Sequence, residues 1–274
     1  MTKTGLGLEG RNVAVVGAGS GIGYETAMLL GHVGANVAAV DIDAGRAAEV
    51  SAEIVELGVH GAAVGGDVTD EDQAIRAIDE AAEALGALDA VVNIVGFAAW
   101  VKLLDVDAHV WDLDIRRNLT HHLYVSRAAA RRWIADGSGG AIAVVASVSG
   151  IYGAPHHAAY GAAKAGLMDL VRTMSQEWGP HGIRVNAVAP DMIATPRVVA
   201  AREAAGGSAD RSSIDERLSL RRVGLPSEIA GPLVFLVSDL ASFLTGQTLV
   251  VDGGTMAAFP HVTGTSRMPR GTGE

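Results

Sequence analysis

The sequence predicts an α/β fold: a single doubly wound domain whose parallel sheet of about seven strands is flanked by helices on both faces. Three observations predict it. Short, continuously apolar and β-branched runs recur along the chain, as strands buried on both faces require. Longer helix-periodic stretches alternate with those runs, as crossover connections between parallel strands require. The first run leads straight into a glycine-rich turn that opens a helix. Hydrophobic residues make up 49% of the chain and charged residues 19%, so a large core can be buried.

In chain order, strands are expected at Asn12–Val16, Asn36–Val40, Gly61–Val64, Ala90–Asn93, Ala141–Ala146, Arg184–Val188 and Thr248–Val251. Each is a short run of Val, Ile and Ala bounded by polar or glycine-containing turns. Helical patterns fill the gaps at Gly23–Gly34, Ala44–Leu57, Asp70–Leu85, Ala158–Trp178 and Ser227–Leu236, with one long apolar-periodic stretch over Val106–Asp136. Asp43 is the expected N-cap of the helix beginning at Ala44. Pro196 to Gly224 is rich in Ala, Arg, Ser and Gly and has no strand partner, so it reads as a helical lid (196–224) after the sixth strand. Residues 255–274 follow the last strand as a C-terminal tail.

Composition excludes several functions. A formal net charge of -10 argues against nucleic acid and against an anionic membrane surface as partners. There is no cysteine, which removes disulfides, thiol catalysis and zinc–thiolate sites. Residues 1–11 lack the apolar core of a signal peptide, and the longest uncharged run, 137–163, is broken by Ser, Gly, Pro155, His156 and His157. The expectation is a cytoplasmic protein. His156 and His157 are adjacent on a loop with no placed carboxylate, so no metal is expected and they read as pocket rim.

The turn after the first strand is Gly17-Ala18-Gly19-Ser20-Gly21-Ile22-Gly23. Its glycines permit close approach of backbone to a pyrophosphate, and the helix N-terminus behind it favours negative charge. This is the Rossmann-type cofactor turn in its expected place. Asp41 ends the second strand, where a carboxylate accepts both ribose hydroxyls of NAD and repels the 2′-phosphate of NADP. Asp67-Val68 follows the third strand; its carboxylate either reaches an adenine amino group or caps the next helix. Asn93-Ile94-Val95-Gly96 closes the fourth strand and either lines the cofactor or turns the chain.

Tyr160 and Lys164 lie four apart at the start of a predicted helix, and so on one helical face. A phenol titrates near 10, and bringing it near 7 takes about 4 kcal/mol. One cation about 4 Å away at an effective dielectric of about 20 supplies roughly that much. The expectation is therefore that the Lys164 ammonium lowers the Tyr160 phenol. Ser147 sits just past the fifth strand, at the sheet edge where such folds bind ligands. It lacks a Gly-x-Ser-x-Gly elbow, which argues against a serine nucleophile. Trp100, Ile151, Tyr152, Met192, Val198 and Val199 either line an apolar pocket or pack in the core, with Lys102 and Arg197 as cations within its reach.

With these motifs the chain resembles the classical short-chain dehydrogenase/reductase family over about residues 8–254. The likeness rests on the glycine turn, Asp67-Val68, Asn93-x-x-Gly96, Asn118, Ser147, Tyr160-x-x-x-Lys164, Asn186-Ala187-Val188-Ala189-Pro190 and Val251-Asp252-Gly253-Gly254. The resemblance implies a dinucleotide-binding domain over residues 1–254. It implies Tyr160 as acid/base, Ser147 as holder of the substrate oxygen and Lys164 as ribose ligand and tuner of the tyrosine. It implies Asn118 as holder of a relay water, and Pro190, Ile193 and Thr195 beside the nicotinamide, with Thr195 at its carboxamide. It also implies a homotetramer. Val16, Ile94, Val95 and Asp191 depart from the family pattern. Asp191 replaces a common glycine, and either places charge near the nicotinamide or faces solvent in a turn.

The expected function is an NAD-dependent oxidoreductase, with NADP the lesser cofactor, that interconverts a secondary alcohol and a ketone of small size. Two alternatives stay open: a 3-oxoacyl-thioester reductase acting on an acyl carrier protein, and a non-catalytic nucleotide-binding regulator.

Overall fold

In the computed structural model, residues 5–204, 206 and 219–257 are described. Seven strands form one parallel sheet: β1 (Asn12–Val16), β2 (Asn36–Asp41), β3 (Gly61–Gly65), β4 (Ala90–Asn93), β5 (Gly140–Val145), β6 (Ile183–Pro190) and β7 (Thr248–Val251). Their spatial order is β3-β2-β1-β4-β5-β6-β7. β1 pairs with β2 on one side, Val13 opposite Val37, and with β4 on the other, Val13 opposite Ala90. The winding reverses between β1 and β4, and at such a reversal the crevice for a ligand opens beyond the strand ends.

Alternation along each strand explains why the strands read as wholly apolar. Ala14, Val16, Ala38, Val40, Val91, Ile142 and Val144 face one core. It is closed by α3 (Glu71–Leu85), α5 (His121–Asp136) and α6 (Ala158–Trp178). Val13, Val15, Val37, Ala39, Val92, Ala143 and Val145 face the other. It is closed by α1 (Gly21–His32), α2 (Ala44–Glu56) and α8 (Pro226–Val237). A strand buried on both faces leaves no position for a polar side chain. Asp43 caps α2 as expected, accepting from the amides of Gly45 and Arg46, and Asp70 caps α3 through the amide of Gln73.

Two stretches differ from the sequence reading. Val106–Asp136 is not one continuous α-helix: α4 (Ala108–Ile115) passes into a π-helical turn over Arg116–Thr120 before α5. Hydrophobic periodicity does not register one added residue in a turn, although such turns gather at functional sites. The lid contains α7 (Pro196–Ala204), and its returning end is tied to the segment that follows β6, where Gly224 forms an isolated parallel bridge with Ile193. Residues 205 and 207–218 of the lid, and Phe259, Pro260 and Val262 of the tail, lie outside the described residues. No described helix is long and apolar enough to cross a membrane.

Candidate active site

The glycine turn is folded tightly onto itself. A Cβ on Gly23 would stand 1.8 Å from the Gly17 carbonyl, so only glycine lets α1 begin this close to β1. Ser20 takes the N-cap position of α1 in an extended conformation with no side-chain cap, and the first turn carries no acidic residue. The positive end of the helix is therefore open to an anion. The Asp41 carboxylate accepts from the Gly19 amide at 2.8 Å and from the Asp43 amide at 3.0 Å, which fixes it beside the turn with lone pairs to spare. Arg46 pairs with Asp43 at 3.0 Å and is held there. Val95 packs against Gly17 and Thr195 against Gly21, so the β4 loop and the start of the lid close on the turn. This narrow backbone cradle, with its uncapped helix end and acceptor carboxylate, fits a pyrophosphate with an adjoining ribose diol.

Asp67 is engaged locally. Its carboxylate accepts from the amide and hydroxyl of Thr69 at 3.0 and 2.7 Å, while Asp70, not Asp67, caps α3. Val68 is in the core. Ile193 is buried and packs on Gly224, and Pro190 ends β6.

The polar groups singled out in the sequence converge where β4 and β5 end and α6 begins. Ser147 begins a short 3-10 turn (Val148–Gly150), accepts from the Ser149 amide at 3.1 Å, and lies near enough to Tyr160 to act on its phenol. Lys164, one turn along α6 from Tyr160, is fully buried and donates to the Val145 carbonyl at 2.7 Å. Asn118 lies in the π-helical turn. Its side chain accepts from the Phe97 amide at 2.9 Å and donates to the Phe97 carbonyl at 2.6 Å and the Asp114 carbonyl at 2.9 Å. Gly96 stands between these groups: a Cβ there would lie 3.1 Å from Asn118 Oδ1 and 3.3 Å from Lys164 Nζ.

The electrostatics correct one expectation. Lys164 Nζ lies 5.8 Å from the Tyr160 ring centroid and is turned to a carbonyl. Burial lowers the amine itself to about 7, because the charged form loses its solvation. The Tyr160 phenol is raised, not lowered: burial dominates, the charge of Asp114 adds to it, and the hydrogen bond with Ser147 opposes it. Helical spacing places the pair on one face but carries no information about desolvation.

Four side chains at the site, Phe97, His121, His122 and Asp114, escaped the sequence reading, and a fifth, His157, was read only as rim. Phe97 follows Gly96, and its ring is flanked by the guanidinium groups of Arg117 at 5.8 Å and Arg197 at 5.1 Å. His157, read as rim, packs edge-on between Trp100 at 4.2 Å and Tyr160 at 5.2 Å and hydrogen-bonds Ser149 Oγ at 3.1 Å. His121 and His122 are fully buried, their rings 4.0 Å apart, with His121 Nδ1 3.3 Å from Asn93 Nδ2. Burial, and secondarily the charge of Lys164, lowers His121 to about 3. Asp114 is 3% exposed and accepts from the Ala99 amide. A polar residue inside an otherwise apolar helical period was the one available signal for the histidines and Asp114.

Ile151, Tyr152 and Met192 are exposed at the mouth. Asp191 is part-buried and accepts from Thr255 Oγ1 at 2.6 Å, so it ties the end of β6 to the residues after β7. Tyr152 is raised by burial and by the charges of Asp191 and Asp252, which marks this side of the mouth as acidic.

Residues 17–256 match a family model described as enoyl-(acyl carrier protein) reductase. The chain is 36% identical over 248 residues to an L-rhamnose 1-dehydrogenase (NAD(P)(+)) of Sphingomonas sp. (strain SKA58), covering 90% of this chain and 96% of that one. It is 39% identical over 250 residues to the cis-4-hydroxycyclohexanecarboxylate dehydrogenase of Sinomonas cyclohexanicum, covering 90% and 97%. Among solved structures, an acetoin dehydrogenase from Salmonella typhimurium superposes with a TM-score of 0.81 at 31% identity, covering 92% of this chain and 100% of that one.

Proposed function

The chain belongs to the short-chain dehydrogenase/reductase family, and from that membership we propose that it is an NAD-dependent oxidoreductase interconverting a secondary alcohol and a ketone. The observation that carries this is the convergence of Ser147, Tyr160, Lys164 and Asn118 around Gly96, at the crevice where the winding of the sheet reverses.

The nicotinamide cofactor, when bound, supplies the hydride chemistry, and the protein supplies orientation and proton management. The first amides of α1 hold the pyrophosphate, and Asp41 holds the ribose diol. Lys164 hydrogen-bonds the ribose next to the nicotinamide, and Thr195 meets the carboxamide. Ser147 donates to the substrate oxygen and fixes it beside the Tyr160 hydroxyl. In the oxidative direction Tyr160 takes the alcohol proton as the C–H bond breaks; in the reductive direction it returns one to the forming alkoxide. Lys164 and a water held by Asn118 pass that proton onward. The raised phenol of the free protein suits the donor role at neutral pH, and cations brought near it favour the acceptor role.

Asp41 sets the cofactor preference as NAD over NADP, since a 2′-phosphate would face its carboxylate. The substrate is a compact secondary alcohol or its ketone, held against Trp100, Phe97, Ile151, Tyr152 and Met192. Relatives named for rhamnose and for hydroxycyclohexanecarboxylate support a hydroxyl carried on a ring. The protein works in the cytoplasm as a homotetramer. A cofactor-linked absorbance panel with NAD, spanning cyclic alcohols, acetoin-like ketols, sugars, hydroxysteroids and hydroxy acids, tests the reading. Turnover of at least one secondary alcohol supports it. No NAD reduction with any of them, and no NADH oxidation with the matching ketones, would overturn it.

A further inference from the structure

Asp114 is a carboxylate buried where an apolar side chain would serve packing better. It is 3% exposed, and its two oxygens share a single amide among the described hydrogen bonds, Ala99 N–H at 3.3 and 3.2 Å. A carboxylate has about four acceptor sites, so most of its capacity is unused. Taking such a group out of water is unfavourable unless something is gained elsewhere. Burial accordingly raises its own titration, against the Ala99 amide and the charge of Arg117.

Its position shows where the gain lies. Asp114 and Asn118 are one helical turn apart and both grip the segment that follows Gly96: Asn118 holds Phe97, and Asp114 holds Ala99. The next residue, Trp100, packs edge-on against His157, whose ring packs on Tyr160. Val101 donates to the His156 carbonyl at 3.2 Å. Residues 97–101 thus form one wall of the crevice, fastened below by α4 and above by the loop before α6. The charge of Asp114 is felt at the Tyr160 phenol, in the sense opposite to the hydrogen bond from Ser147. The other titratable groups around this pair are Arg117 beside Asp114, and His157 and Lys164 on either side of Tyr160. Burial, and then the neighbouring His156, lowers the His157 imidazole.

We propose that Asp114 is a positioning residue for the reaction: through Ala99 it fixes the 97–101 wall, and with it the packing of Trp100 on His157 and of His157 on Tyr160. The proposal rests on the reading of Tyr160 as acid/base. Asp114 has two separable properties, its grip on the Ala99 amide and its charge.

Asp114→Asn separates them, because the amide keeps the shape and an acceptor oxygen for Ala99 but loses the charge. In alcohol oxidation with NAD, this variant is expected to keep its KM within about threefold of the wild type, with the acid limb of its kcat/KM–pH profile moved to lower pH. Asp114→Ser, which cannot span to Ala99, is expected to show the same displacement together with a raised KM and altered Trp100 fluorescence. A wild-type KM with wild-type fluorescence in Asp114→Ser, or a KM raised as far in Asp114→Asn as in Asp114→Ser, overturns the proposal. If the Asn variant does not fold, as judged by its melting transition, the KM and fluorescence of the Ser variant decide. Tyr160→Phe run beside them separates the two failures: full activity in that variant would overturn the acid/base reading itself, whatever the Asp114 variants do.

Discussion

On the proposed reading, Tyr160 decides the chemistry and Asp41 the choice of cofactor. Replacing Tyr160 by Phe keeps the ring that packs on His157 and removes only the transferable proton. Turnover is expected to fall by about 10²-fold or more while the NAD dissociation constant stays close to the wild-type value. Stopped-flow turnover together with cofactor titration checks both halves. A variant retaining more than about a tenth of wild-type kcat would remove Tyr160 from its role. Asp41 would have two tasks, since the carboxylate proposed to meet the ribose also holds the Gly19 amide. Asp41→Ala is therefore expected to lower kcat/KM with NAD and raise it with NADP, so that the ratio between them narrows from both sides. Comparable efficiency of the wild type with the two cofactors would show that this carboxylate does not discriminate.

The element that departs most from its sequence pattern is the junction of α4 and α5. The π-helical turn carries Asn118 inward, and the next two residues, His121 and His122, are buried beneath the β4 loop with Asn93. Burial lowers both imidazoles, His121 to about 3 and His122 well below its ordinary value. Both are thus neutral in the fold, whereas in the unfolded chain they titrate near 6.5. Above about pH 6.5 neither state binds the protons, and stability does not depend on these groups. As pH falls below that value the unfolded chain gains protons that the fold refuses. Stability then drops by up to about 1.4 kcal/mol per pH unit for each histidine. For His121 the loss continues to about pH 3. Urea unfolding at a series of pH values from 7.5 to 5 is expected to show this slope, and His122→Gln to reduce it by about one proton's worth. An unchanged slope would mean that His122 is protonated in the fold.

At the scale of the molecule, the surface carries apolar groups that a monomer would leave in water. Leu119, Leu123, Gly166 and Leu170 line a groove between the π-helical turn and α6. Phe243, Leu240 and Val250 are exposed around β7 and the 3-10 turn (Asp239–Ala241) before it. Two separate apolar faces suit a closed assembly with two kinds of two-fold contact, as in a tetramer. Light scattering at micromolar concentration is expected to give four times the chain mass, and Leu170→Arg to reduce it to a dimer or monomer. A wild-type monomer mass would rule the assembly out.

The sheet, both helical layers and the glycine turn were legible in the chain because each depends on local pattern. Wholly apolar strands such as Val13–Val16 declare burial on both faces, and a strand running into Gly17–Gly23 declares its turn. The convergence of Ser147 and Lys164 on Tyr160 was legible for the same reason, since their spacing reflects one strand end and one helical turn. Only the tertiary structure decided the rest. It turned Lys164 to the Val145 carbonyl, raised the Tyr160 phenol, opened the helix at Asn118, stitched Gly224 to Ile193 and set Asp114 behind the site. Those outcomes depend on which groups lose water and which distant segment supplies an amide or a charge, and neither quantity is written in residue order.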